Sequence, residues 1–223
     1  MEPRPVLRAE DLSALAAAGR TRRYPAGQIL FNEGDLSDYV VVIRRGTVKL
    51  LAVSGDGYEA VLGVRVAGEI VGDFAALQHR PRSATVVAVD EVEAVQVSGA
   101  RFRAFLAEHP RVALVLLGQA IGRVREADRR RLEYGGSDVA GRVARVLLEL
   151  AGTFGPPDGT DAVIPLSQRE LAGATGASRE AVSRALRRLR ECEAILTERR
   201  RILVLRPDLL RRFAAPDGSV GEQ

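Results

Sequence analysis

One cysteine, Cys192, and two histidines, His79 and His109, are all the thiol and imidazole groups the 223 residues offer. A single thiol cannot build an intrachain disulfide framework, a cysteine zinc site or a cysteine-held iron–sulfur cluster. The histidines lie far apart in sequence and belong to no recognisable ligand or catalytic arrangement, so neither a metal site nor a catalytic residue is expected. Cys192 is expected to be a small packing residue. No run of about eighteen apolar residues exists, which excludes a transmembrane helix. The N-terminal MEPRPVLRAEDL lacks the apolar core of an export signal, so a cytoplasmic chain with no membrane partner is expected. No glycine-rich nucleotide loop, zincin motif or nucleophile–histidine pair is present, which argues against an enzyme. Lysine is nearly absent too: Lys49 stands alone among many arginines, a pattern of coding bias rather than of function.

What remains is an ordinary globular composition, 46% hydrophobic and 28% charged, long enough for one large or two modest domains. The net charge is only +4, but it is localised. Between Arg179 and Arg201 stand eight arginines against four glutamates, so this segment alone carries an excess equal to that of the whole chain. That suits a polyanionic partner, although surface arginine also serves solubility.

The same region holds the most specific pattern, Leu166 to Leu189, reading LSQRELAGATGASREAVSRALRRL. Ser167 and Glu170 form a capping box at the start of a short helix, Gln168 to Ala174. Gly176 suits the left-handed position after that helix, and Ser178 can cap a second, Arg179 to about Arg190. Two short helices joined by a glycine turn are a helix-turn-helix. At about 100° per residue, Arg179, Glu180, Ser183 and Arg184 share one face, while Val182, Leu186 and Leu189 lie opposite. Arginine can donate two bonds to guanine and glutamate can accept from cytosine. Ser178, Arg179, Glu180, Ser183 and Arg184 are therefore candidate contacts to double-stranded DNA; the alternative is a solvated charged face.

Upstream the texture differs. Asp11–Ala18 reads as a small helix. Short β-rich runs then recur between glycines: Gln28–Asn32, Tyr39–Arg44, Thr47–Val53, Glu59–Val66, Ala84–Val89 and Ala94–Val97, with a hairpin turn at Ser54–Gly57. Helices follow over Arg101–Glu108 and, after Pro110 in its first turn, over Arg111 to about Tyr134. On the long helix Leu114, Leu117, Ile121 and Val124 are spaced as a coiled-coil seam, which predicts a homodimer; packing on its own β-domain is the alternative. Gly135-Gly136-Ser137 reads as a hinge. An amphipathic helix, Val139–Ala151, and a Gly/Pro loop, Gly152–Asp161, precede the helix-turn-helix. Two β-runs, Ile195–Thr197 and Ile202–Leu205, form a wing whose arginine tip, Arg200 included, can meet phosphates. The tail after Ala214 is expected to fray.

These pieces in this order resemble the cyclic-AMP receptor and fumarate–nitrate regulator (Crp–Fnr) family of bacterial transcription factors. The likeness runs from Pro25-Ala26-Gly27 to the wing and is most specific over Gly176–Arg184. It implies an α+β fold: a jelly-roll-like cyclic-nucleotide-binding β-roll over 1–107, a dimerisation helix and hinge over 108–136, and a winged helix-turn-helix over 137–223. It also implies that Arg179, Glu180 and Arg184 read a TGTGA-type half-site. The single cysteine removes the iron–sulfur mechanism of the fumarate–nitrate branch.

A second stretch, Gly68-Glu69-Ile70-Val71-Gly72-Asp73-Phe74 followed by Arg82-Ser83-Ala84-Thr85, is similar to the family's phosphate-binding cassette. By that resemblance Gly72, Asp73, Phe74, Arg82 and Ser83 would hold a cyclic phosphate and its ribose, and Arg123 would reach the same pocket. Three departures stand out. Asp73 replaces the usual Glu, the segment from Asp73 to Arg82 is one residue shorter than in the cyclic-AMP receptor, and the adenine-contacting Thr and Ser positions are Ala127 and Asp128. Cyclic AMP is the first-choice effector, with a guanine cyclic mono- or dinucleotide, or no ligand, as rivals. The resemblance further implies RNA polymerase as a partner, touched through Gly155–Asp161. From a different class, an effector-sensing regulatory subunit of an enzyme would use the same β-domain.

Overall fold

The computed structural model describes residues 7–53, 59–136, 138–156 and 158–215, with the side chains of 59, 126 and 129–136 outside that description. The expected turn at Ser54–Gly57, hinge residue Ser137, and the tail from residue 216 onward also lie outside the described residues. The chain divides into two compact units, Met1–Ala52 with Leu62–Ala127, and Val53–Val61 with Asp128–Gln223.

The first unit begins with helix α1 (Ala9–Ala17) and is built on two four-stranded antiparallel sheets. One has the order β1 (Arg20–Tyr24), β8 (Val92–Ser98), β3 (Tyr39–Arg45), β6 (Ile70–Val71). The other has the order β2 (Ile29–Phe31), β7 (Thr85–Ala88), β4 (Val48–Val53), β5 (Glu59–Arg65). Successive side chains of a strand face opposite sides, and β3 shows what that does here. Val41 and Ile43 point between the sheets and pack with Tyr24, Phe31, Val48, Val71, Val86 and Ala94. Val40 and Val42 point the other way, onto Leu15 of α1, Phe102 and Phe105 of α3 (Gly99–Glu108), and Val112 and Leu116 of α4 (Pro110–Gly136). Both faces are covered, so the strand reads as an unbroken apolar run.

Helix α4 carries a second apolar stripe. Val112 and Leu116 are buried, whereas Leu114, Leu117, Ile121 and Val124 are 68%, 55%, 46% and 61% exposed. The seam is therefore not spent on packing against its own β-roll. The helix also continues through Gly135 and Gly136 rather than breaking there. Glycine costs about 1 kcal/mol relative to alanine inside a helix but does not forbid one.

The second unit contains α5 (Val139–Phe154), β9 (Ala162–Ile164), α6 (Gln168–Thr175), α7 (Arg179–Glu191), β10 (Ile195–Glu198), β11 (Arg201–Val204) and α8 (Pro207–Ala214). Its core is formed by Val143, Ala144 and Leu147 of α5 with Ile164, Leu171, Val182, Leu186, Leu189, Ile195 and Leu210, none more than marginally exposed. The wing is a three-stranded antiparallel sheet, β10-β11-β9, one strand more than the sequence suggests. Helix α2 (Asp73–Gln78) and strands β1 and β6 were likewise not expected, nor was α8. Cys192 is exposed at the C-cap of α7 instead of packed, because α7 buries the face that carries Leu189.

Candidate effector site and nucleic-acid interface

The cassette forms where β6 ends. Gly72 takes a left-handed φ of 84°, turning the chain into α2, which starts at Asp73. A side chain at Gly72 would overlap Arg82 Nη1, so the glycine serves both the turn and the room for Arg82. Arg82 is 2% exposed. Its Nε donates to Ser37 Oγ at 3.0 Å, Nη1 to the Gly72 carbonyl at 3.0 Å, and Nη2 to the Tyr39 carbonyl at 2.6 Å. The guanidinium carbon lies 4.1 Å over the Phe31 ring and 4.6 Å over that of Tyr39. Burial pulls the Arg82 guanidinium below its usual value. Arginine keeps its proton even so.

Beside it, Arg123 of α4 donates to Asp73 Oδ2 at 3.1 Å and stacks over the Phe74 ring at 4.7 Å. Its Nε is buried without a hydrogen-bond partner among the described residues. Gly72, Asp73, Phe74, Arg82 and Arg123 are thus linked by direct contacts through two arginines. Ser83 is exposed next to Arg82, and Ala127 and Asp128 are exposed on α4. Phe31, Ser37 and Tyr39 are site residues that sequence reasoning missed. They precede Arg82 by some forty-five residues and belong to no local motif.

In the second unit the helix-turn-helix is held by its caps. Glu170 N donates to Ser167 Oγ at 3.2 Å, and Ser167 N returns a bond to Glu170 Oε2 at 2.8 Å. Gly176 has φ 61°, ending α6 in the left-handed conformation. Arg142 of α5 donates through Nε to the Thr175 carbonyl at 3.0 Å, tying that turn to the scaffold. Ser178 Oγ then accepts from Ala181 N at 3.2 Å and starts α7.

The faces of α7 separate cleanly. Val182, Ala185, Leu186 and Leu189 are buried. Arg179, Glu180, Arg184 and Arg187 are exposed, with Ser183 half-buried between them. The later arginines are committed elsewhere: Arg188 pairs with Asp138 at 3.1 Å, and Arg190 donates to Thr197 Oγ1 at 2.8 Å. The Glu180 carboxyl is held below the usual carboxylate range, first by a hydrogen bond from its own amide and then by Ser178. It is therefore an acceptor at neutral pH. In the wing, Glu198 and Arg201 close a two-residue turn. Arg200 at its tip has φ 60°, a conformation that L side chains seldom adopt.

A capped, cationic recognition helix beside a three-stranded wing, on the same chain as a β-roll with a buried arginine, defines a transcription regulator with a sensory domain. Residues 21–109 match the cyclic nucleotide-binding domain and residues 141–213 the Crp-like helix-turn-helix domain. The CRP-like cAMP-activated global transcriptional regulator of Mycobacterium tuberculosis is 30% identical over 91% of this chain and 92% of its own. The cyclic AMP receptor protein of Thermus thermophilus is 31% identical over 82% of each chain. Among solved structures, the c-di-GMP responsive global regulator CLP of Xanthomonas campestris has the same fold, with TM-score 0.74 and 22% identity over 89% of this chain and 99% of its own. The chain belongs to the Crp–Fnr family of transcriptional regulators, whose members are not enzymes. Among the described residues no helix is long and apolar enough to cross a membrane.

Proposed function

We propose that the protein is a cytoplasmic homodimer that binds a TGTGA-type palindrome and whose DNA affinity is set by a cyclic nucleotide in the β-roll. The exposed side of α7 carries this reading. Arg179 and Arg184 are exposed, Glu180 is exposed with its carboxylate bonded within the cap by its own amide and Ser178, and all three sit in the first turns of a capped helix, where a recognition helix meets bases. The Arg199-Arg200 tip of the wing supplies phosphate contacts. Two copies joined through the α4 seam would present two such helices about one DNA turn apart.

For the effector, Arg82 and Ser83 with neighbouring N–H groups hold the cyclic phosphate, and Asp73, tied to Arg123, meets the ribose. Cyclic AMP is the first candidate, in keeping with the names of the relatives. A guanine cyclic nucleotide is a second reading, favoured by Ala127 and Asp128. Ala127 offers no hydrogen bond, and a carboxylate at 128 accepts as readily from the two adjacent donors of guanine as from the adenine amino group. The Gly155–Asp161 loop, whose residue 157 lies outside the described residues, is the expected contact for RNA polymerase. Fluorescence anisotropy on a TGTGA palindrome and a scrambled duplex, with cyclic AMP, cyclic GMP or neither, tests the whole. Preference for the palindrome, raised or lowered by one nucleotide, is expected. Equal affinity for both duplexes would defeat the DNA assignment. Preference for the palindrome with indifference to both nucleotides would defeat only their role as effectors.

A further inference from the structure

The guanidinium of Arg82 sits in an aromatic corner. The rings of Phe31 and Tyr39 are 6.1 Å apart at an interplanar angle of 77°, and Arg82 Cζ faces both, at 4.1 and 4.6 Å. Phe31 is 5% exposed and packed in the core between the sheets, so its ring is fixed. The Tyr39 ring is pinned at its far end, where the hydroxyl donates to the Leu30 carbonyl at 3.1 Å. Three acceptors take one N–H each from Nε, Nη1 and Nη2. Arginine has five N–H donors in a rigid plane. One N–H on each Nη takes no part in those three bonds, and the two rings and three bonds together fix the guanidinium plane.

We infer that Phe31 and Tyr39 are positioning residues for the effector phosphate: they hold the Arg82 plane so that its two remaining N–H groups converge on one anion. This rests on the reading of Arg82 as the phosphate anchor. The rings, not the tyrosine hydroxyl, carry the role, because the cation meets their faces. With one ring lost, the plane is held on that side by its three hydrogen bonds alone and can tilt about them, so its remaining donors lose their fixed direction. Cation–π contacts at desolvated sites are strong enough that loss of one ring should weaken binding about three- to thirtyfold.

Calorimetry with cyclic AMP and cyclic GMP on the full-length protein provides the test, with thermal melting to establish that each variant is folded. Tyr39→Leu is expected to weaken binding of whichever nucleotide the wild type takes, and Tyr39→Phe to leave it unchanged. Phe31→Leu should weaken it in the same sense as Tyr39→Leu. The salt dependence of the dissociation constant should flatten in both leucine variants, because a tilted guanidinium meets the charged phosphate less closely. Unchanged affinity in a folded Tyr39→Leu protein would overturn the inference. So would an affinity loss with the wild-type salt dependence, the mark of a merely structural effect. If the wild type binds neither nucleotide, the effector reading fails for both, and this inference fails with it.

Discussion

Gly72→Ala should be costly for two separable reasons. The left-handed φ of 84° costs a residue with a Cβ about 1–2 kcal/mol. The new methyl would also overlap Arg82 Nη1 and stand 3.2 Å from both Arg82 Cζ and the Tyr39 carbonyl oxygen. The guanidinium cannot step aside, since two rings and three hydrogen bonds hold it. Displacing it forfeits a buried charge-assisted bond, worth about 1.5–3 kcal/mol. Together the loss is about 2.5–5 kcal/mol. Gly27 supplies the control: its φ is 83°, and a Cβ there meets nothing within 4 Å, so Gly27→Ala incurs only the backbone cost. Differential scanning calorimetry of the two variants should place the β-roll transition of Gly72→Ala well below that of Gly27→Ala. In an Arg82→Ala background the gap should shrink to what the close approach to the Tyr39 carbonyl leaves. Equal destabilisation by the two glycine substitutions in the wild-type background would refute the account of Gly72 as the residue that makes room for Arg82.

The remaining predictions concern the second unit and the seam. Arg179→Ala and Arg184→Ala should each cost about 1–3 kcal/mol on the preferred site and relax base preference at one position, measured by anisotropy on singly substituted duplexes. Arg200→Gly should raise thermal stability by up to about 1 kcal/mol, because φ 60° no longer opposes a side chain, yet weaken binding to all sequences and lower the salt slope. A variant that gains stability with DNA affinity intact would remove the wing tip from the interface. Ile121→Asp places a charge in the middle of the α4 stripe and should abolish both the dimer in sedimentation and tight binding to the palindrome. A wild-type monomer bound to one palindrome would contradict the seam.

Legibility followed the range of the interaction. The caps of α6 and α7 lie within three residues of what they cap, and the strands β3, β4 and β8 carry their burial pattern in their own side chains. Strand β1 does not: four of its five residues, Arg20 to Arg23, are exposed, and it is a strand because β8 offers it a partner. Helix α2 has only six residues between a glycine turn and a left-handed His79, too short for a periodic signal. Helix α8 did advertise itself weakly, with Pro207 in its first turn and Arg211 and Arg212 in its last. At the site, Gly72, Asp73 and Arg82 were visible as a motif, whereas Phe31, Ser37 and Tyr39 are joined to Arg82 by the closure of the β-roll alone. No spacing rule spans that distance. Cys192 was misplaced because a small thiol is usually packed, and the helix it follows had already buried its other side.

Pairing of two chains through the exposed stripe on α4, as proposed above, would also make protein concentration a thermodynamic variable. Four apolar side chains left about half or more exposed on a lone protomer would shed their remaining hydration water when a second chain arrived, so part of the free energy of the native state would be bimolecular. Mass action would then set a melting temperature that rises with protein concentration. Dilute and concentrated preparations of one sample would not be equally stable, and a change that merely lowers expression would lower the stability of every molecule made.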